Sequence, residues 1–118
     1  MFVNFSNHPS DLWTEEQTAA AHQFGEIADL PFPAVPADMD EEGILAMATE
    51  QYARISELKP DVVMCQGEFT LCYAIVQRLK RKGIRVVAAC SERMTIDKGN
   101  NIRESVFVFA RFRDYMGE

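Results

Sequence analysis

Between Asp61 and Thr70 a short apolar run, Val62-Val63-Met64-Cys65, breaks at Gln66-Gly67 and passes straight into a helical pattern. Four apolar residues without polar alternation mark a strand covered on both faces, as strands of parallel sheets are. The order reads as strand, tight loop, helix, a junction that in open α/β sheets lies at the carboxyl edge of the strands and so puts Gln66-Gly67 there. There the free N–H groups of a helix N-terminus favour anionic ligands.

The rest of the chain repeats this unit. Phe2 to Phe5 is apolar enough for a central strand, and the polar Ser6-Asn7-His8-Pro9-Ser10 that follows is a loop stopped by proline. Thr14-Glu15-Glu16-Gln17 has the spacing of a capping box, so a helix starts near Glu15 and ends at Gly25. Glu26 to Leu30 reads as a second strand, and Pro31-Phe32-Pro33 and Pro36 as an extended loop. Asp38 or Asp40 caps the next helix, in which Ile44, Leu45, Ala48, Tyr52, Ile55 and Leu58 recur at helical spacing until Lys59-Pro60. Leu71, Cys72, Ile75, Val76 and Leu79 form the buried stripe of a third helix that Gly83 ends. Ile84 to Cys90 is another apolar strand, after which Ser91-Glu92-Arg93 is expected as a loop. Met94 to Asp97 and Ile102 to Arg113 are then two arms around the turn Lys98-Gly99-Asn100-Asn101. The expected fold is a small Rossmann-like or flavodoxin-like three-layer α/β sandwich, its mostly parallel sheet closed by a C-terminal antiparallel hairpin.

At 118 residues and 47% apolar the chain amounts to one domain over residues 1–118. It contains no apolar run of membrane-spanning length and no basic leader followed by an apolar stretch, so a cytoplasmic protein without membrane association is expected. Cys65, Cys72 and Cys90 cannot all pair, and each sits in an apolar stretch where a reduced thiol acts as a small hydrophobe. No Cys-x-x-Cys or neighbouring His accompanies them, so no metal site is expected. Charge is divided along the chain: residues 1–53 carry ten acids and no Lys or Arg, whereas residues 54–118 carry all 12 bases and eight acids. The fold either interleaves the two halves, leaves a basic face able to meet phosphate, or simply sets a solvated acidic helix beside a solvated basic one, the reading that exposed charges favour.

Right-handed crossovers bring the carboxyl ends of parallel strands to one edge, so Ser6 to Ser10, Gln66 to Thr70 and Ser91 to Arg93 should converge. Their inventory is hydroxyls, amides, one His, two Glu and one Arg, which suits phosphate or ribose. Neither Gly-x-Gly-x-x-Gly nor a Gly-Lys-Ser/Thr phosphate loop occurs, which argues against dinucleotide and nucleoside triphosphate chemistry and against a cofactor. His8 is the imidazole on this edge and can move a proton near pH 7, or is a surface residue before Pro9. Glu68 either orients a hydroxyl or answers the dipole of the third helix. Arg93 offers a planar fork to phosphate oxygens or pairs with Glu92 or Glu68. Lys80, Arg81 and Lys82 end a helix and imply no long nucleic acid. Arg111 and Arg113 are expected to share a strand face with Phe107 and Phe109, more fitting for a partner subunit than for a base.

These residues carry a resemblance. Gln66-Gly67-Glu68-Phe69 after a buried strand, Tyr73 in the next helix, Gly83 before Val86-Val87-Ala88-Ala89, Ser91-Glu92-Arg93, Ser105-Val106-Phe107 and Arg111-Phe112-Arg113-Asp114-Tyr115 together resemble the small CRISPR-associated Csx-type proteins. Those are Rossmann-like relatives of CARF domains that act as ring nucleases in type III systems. Phe5-Ser6 and His8 fit the same pattern loosely, with Asn7 and Pro9 as departures from it. The resemblance implies a homodimer that binds cyclic oligoadenylate, most often the four-membered ring, and opens it without metal. In that chemistry a ribose 2′-hydroxyl attacks the adjacent phosphodiester and leaves a 2′,3′-cyclic phosphate.

On that reading Ser6, Asn7 and the Gly67 backbone bind phosphate, Gln66 and Thr70 hold ribose or phosphate, and Ser10 and Ser91 are further substrate-binding residues. Arg93 stabilises the transition state, and His8 or Glu68 assists proton movement. Two other classes stand beside it: a non-catalytic sensor or sponge for the same nucleotide, or a dimeric adaptor. A thiol enzyme using Cys65 or Cys90 is disfavoured, because apolar strands raise thiol pKa values.

Overall fold

A computed structural model describes residues 1–117 as five strands and three α-helices. In chain order these are β1 (Phe2–Phe5), α1 (Glu15–His22), β2 (Ile27–Leu30), α2 (Glu41–Glu57), β3 (Val62–Cys65), α3 (Phe69–Arg81), β4 (Arg85–Asp97) and β5 (Arg103–Asp114). The sheet order is β2-β1-β3-β4-β5, with the first four strands parallel and β5 antiparallel to β4. The three-layer α/β arrangement expected from the sequence is the one observed.

Strand parity divides the core in two. Val3, Phe5, Val63 and Cys65 point to the α2 and α3 side, where Ile55, Leu71, Ile75 and Leu79 cover them. Phe2, Val62, Met64 and Val87 point to the other side, against Trp13, Ala21 and Phe112. Every residue of β1 and β3 is buried, which is why neither strand alternates. The helices begin where short polar side chains satisfy free N–H groups: Thr14 accepts from Gln17 N and Asp40 from Gly43 N. Beyond α1 and α3, Gly25 at φ +123° and Gly83 at φ +76° adopt conformations that favour glycine. Among the described residues no helix is long and apolar enough to cross a membrane.

The C-terminal part differs from the expectation. Ser91-Glu92-Arg93 is no loop: β4 runs unbroken from Arg85 to Asp97 because β5 pairs with it over Val87 to Asp97 and takes up its backbone groups. The turn is where the sequence places it, with Gly99, Asn100 and Asn101 all at positive φ and Asp97 Oδ1 accepting from Gly99 N at 2.9 Å. Register shifts between Cys90 and Ser91, whose partners are Arg111 and Phe109, leaving Ala110 as an extra residue. That bulge puts Phe109 and Phe107 on the α1 side with Ser91 and Arg93, while Arg111 and Arg113 stay on the α2 and α3 side opposite Cys90 and Ala88. The expected shared face of Arg111, Arg113, Phe107 and Phe109 is thereby corrected. Past the bulge the hairpin stands clear of the helices, exposing Met94, Ile96, Ile102, Phe107 and Val108.

Candidate functional site

Strand order 2-1-3 reverses direction at β1: the connection to β2 leaves one way over one face, and the connection to β3 returns over the other. The loops after β1 and β3 therefore part, and open α/β sheets bind ligands in the crevice so formed. Here that crevice is a cleft of about 330 Å³ lined by Ser6, Asn7 and His8 after β1, Gln66 and Gly67 after β3, and Ala89 and Ser91 of β4. Gln17 of α1 and Met64 complete its α1 side. Among the described residues no acid lines it, and its polar groups are hydroxyls, amides and one imidazole, suited to an anion or a sugar.

The β1 loop is held from below by a polar network. Asn4, 1% exposed within the central strand, donates from Nδ2 to His8 O and to Asp29 Oδ1, both at 2.9 Å. Its Oδ1 accepts from Ser6 Oγ at 2.6 Å, and Ser6 Oγ in turn accepts from His8 N at 3.2 Å. Trp13 Nε1 adds a third bond to the loop, donating to His8 O at 3.0 Å. Ser10 donates from N and Oγ to Asp29 Oδ2. Buried polar atoms with partners on all sides hold one geometry, so the backbone carrying Asn7 and His8 is fixed while both side chains stay exposed.

The β3 loop is fixed by different means. Gln66 N donates to Phe5 O at 3.1 Å, and its side-chain Oε1 accepts from Ala89 N at 2.6 Å, tying β1, β3 and β4 together at their carboxyl ends. Its Nε2 donors remain for a ligand. Gly67 is required by contact: a Cβ there would lie 2.4 Å from the Phe32 ring, which packs against Phe5 with centroids 4.9 Å apart. Gly67→Ala is expected to destabilise the fold by about 1–3 kcal/mol, since the new Cβ would have to displace a buried ring packed on Phe5. Urea denaturation checks this, and an unchanged midpoint would show that Phe32 moves freely.

Of the expected site residues, Ser6, Asn7, His8, Gln66, Gly67 and Ser91 meet at the cleft. Ser6 is mostly buried, its hydroxyl proton turned to Asn4. Ser10 is drawn aside by Asp29. Thr70 faces the groove between α2 and α3 instead, with its hydroxyl donating to Glu68. Glu68 is the N-cap of α3, accepting from Leu71 N at 2.8 Å, and the Thr70 hydroxyl and Leu71 N–H hold its carboxyl below the ordinary glutamate range. A carboxylate so stabilised is a weak base near pH 7, and the dipole-answering alternative describes it.

Arg93 lies outside the cleft lining, two residues beyond Ser91 on the same strand face and opposite Phe107. Among the described residues it forms no salt bridge, so the alternative of a pairing with Glu92 or Glu68 is not the one observed.

Sequence reasoning missed Asn4, Asp29 and Gln17. Asn4 carried a signal, a polar residue inside an otherwise apolar central strand. The sequence spacing makes Gln17 the second half of a capping box, but its side chain turns inward to Met64 Sδ and only the Thr14 half of the box forms.

A family model described as the Uncharacterized protein MJ1673 family matches residues 1–113, nearly the whole chain and every residue of the cleft. The chain belongs to the MJ1673 family. No curated protein and no solved structure matches it. Within this MJ1673-family chain the matched span takes in nearly all of the β4–β5 hairpin as well as the parallel sheet.

Proposed function

We propose that this protein is a cytoplasmic, homodimeric ring nuclease that binds cyclic oligoadenylate, cyclic tetra-adenylate foremost, and opens it without metal in type III CRISPR antiviral signalling. The observation that carries the reading is the acid-free cleft at the switch point, where Asn7, His8 and the Gln66 amide converge. The resemblance of the Gln66 to Phe69 and Ser91 to Arg93 segments to Csx-type proteins supplies the ligand class.

In the reaction a ribose 2′-oxygen attacks the adjacent phosphorus and the bond to the 5′-oxygen breaks; the leaving 5′-oxygen takes a proton from water, and a 2′,3′-cyclic phosphate and a 5′-hydroxyl result. Asn7 and the Gln66 Nε2 donors hold the non-bridging oxygens in line with the attack. His8 takes the 2′-hydroxyl proton, and Arg93, reaching down the strand from beside Ser91, offsets the charge on the phosphorane-like transition state. Glu68 is left out of this assignment because its oxygens cap α3.

A second reading, a non-catalytic sensor or sponge for the same nucleotide, draws on the position of Arg93 outside the cleft lining, which leaves His8 as its one titratable side chain among the described residues. Incubating the protein with cyclic tetra-adenylate in EDTA and chromatographing the products separates the two. Linear products ending in 2′,3′-cyclic phosphate are expected. Retention of intact ring would favour the sensor, and absence of binding would overturn both.

A further inference from the structure

Behind the cleft, on the opposite side of the sheet, two of the three cysteines come together. Cys65 ends β3 and Cys72 lies in the first turns of α3, and their Sγ atoms are 3.5 Å apart in the core. Tyr115 of the C-terminal segment closes over them, its hydroxyl donating to Cys65 O at 2.7 Å and standing 3.7 Å from Cys72 Sγ. Two thiols within van der Waals contact on a strand–helix junction need only about 1.5 Å of approach to reach the disulfide bond length. We propose that Cys65 and Cys72 form a reversible oxidation site, closed to a disulfide by a peroxide, which fastens the end of β3 to the start of α3 across the Gln66-Gly67-Glu68 loop.

The order of events follows from the surroundings of the two thiols. The Cys65 S–H, the Tyr115 hydroxyl and the Gly67 N–H hold the Cys72 thiol below the ordinary cysteine range, against burial and the nearby Glu68 carboxylate. Cys65 is pushed up by its hydrogen bond to Cys72 and by burial. Cys72 is therefore the attacking thiolate. Its sulfur displaces hydroxide from hydrogen peroxide: an S–O bond forms, the O–O bond breaks, and the sulfur is oxidised to a sulfenic acid. The Cys65 sulfur then attacks the Cys72 sulfur, the S–O bond breaks, and hydroxide leaves with the Cys65 proton as water. Two thiols and one peroxide give one disulfide and two waters, and a dithiol reductant reverses the change. The site is independent of the nucleotide reading, but it lies directly under the loop that carries Gln66.

The test uses the full chain, reduced and freed of reductant, then treated with hydrogen peroxide, alkylated after denaturation and digested with trypsin. The fragment between Arg54 and Arg78 contains both cysteines, because Lys59 precedes Pro60, and Cys90 falls in a separate fragment. The expected result is loss of both alkyl groups and about 2 Da from the first fragment, restored by dithiothreitol, with Cys90 still alkylated. Cys65→Ser should instead leave a sulfenic acid on Cys72 that dimedone traps. Full alkylation of Cys65 and Cys72 after peroxide, or a link from Cys72 to Cys90, would overturn the proposal. Should the variant fail to fold, the wild-type chain in urea serves: linkage there should be at least 10-fold slower, and an equal rate would show that the fold does not create the site.

Discussion

Asn4→Asp is expected to destabilise the protein by roughly 3 kcal/mol at pH 7 while changing only one atom of the side chain. The Asn4 amide nitrogen donates to Asp29 Oδ1 and His8 O, and a carboxylate oxygen in its place faces two acceptors and one full negative charge without a proton to offer. Each buried polar partner left unsatisfied costs about 1–3 kcal/mol, and a charge more. The pH dependence has a definite sign. Burial and the neighbouring Asp29 raise the folded-state pKa of the new carboxyl above its unfolded value, so the penalty is complete above the folded pKa. It diminishes as pH falls toward the unfolded value of about 3.9. Urea denaturation of variant and wild type at pH 7 and near pH 4 should show the gap narrowing. Equal stability at pH 7 would mean that the network under the β1 loop contributes little.

Arg93→Ala is expected to slow ring opening by on the order of 100-fold, the loss typical of removing one charge-assisted contact to a developing oxyanion. The side chain is exposed and has no salt-bridge partner among the described residues, so the melting temperature should hold and the defect should fall on turnover more than on ligand affinity. Single-turnover rates and equilibrium binding of cyclic tetra-adenylate, measured together, separate the two. Unchanged turnover would remove Arg93 from the chemistry and leave the hairpin as an arm without a part in it.

The elements of the parallel sheet were legible because local signals agreed with one another. Four-residue apolar runs, Thr14 and Asp40 as caps, and Gly25 and Gly83 past helix ends each act within a few residues, and the structure uses every one. The hairpin was legible only at its tip. Ser91-Glu92-Arg93 is polar and looks like a loop, but a strand paired with a long antiparallel neighbour and clear of the helices has no need of apolar residues. The bulge at Ala110 left no mark in composition, so the alternation expected beyond it came out on the wrong face.

The candidate site divides in the same way. Convergence of the Ser6 to His8 and Gln66-Gly67 segments follows from the handedness of crossovers, a rule indifferent to side chains. Which atoms remain for a ligand does not. Glu68 and Thr70 satisfy one another, Ser10 satisfies Asp29, and Gln66 divides its amide between Ala89 and the cleft.

Sequence by itself determined the layer architecture, the strand–loop–helix junctions and the edge at which they meet, because backbone pairing, burial period and helix capping are short-range or chiral constraints. Only the tertiary structure decided that Asn4 anchors the loop carrying His8, that Gly67 answers to Phe32, and that Cys65 meets Cys72. Those are contacts between residues or surfaces whose complementarity exists only once the chain has closed on itself, and no local pattern encodes a distance between two side chains on different elements.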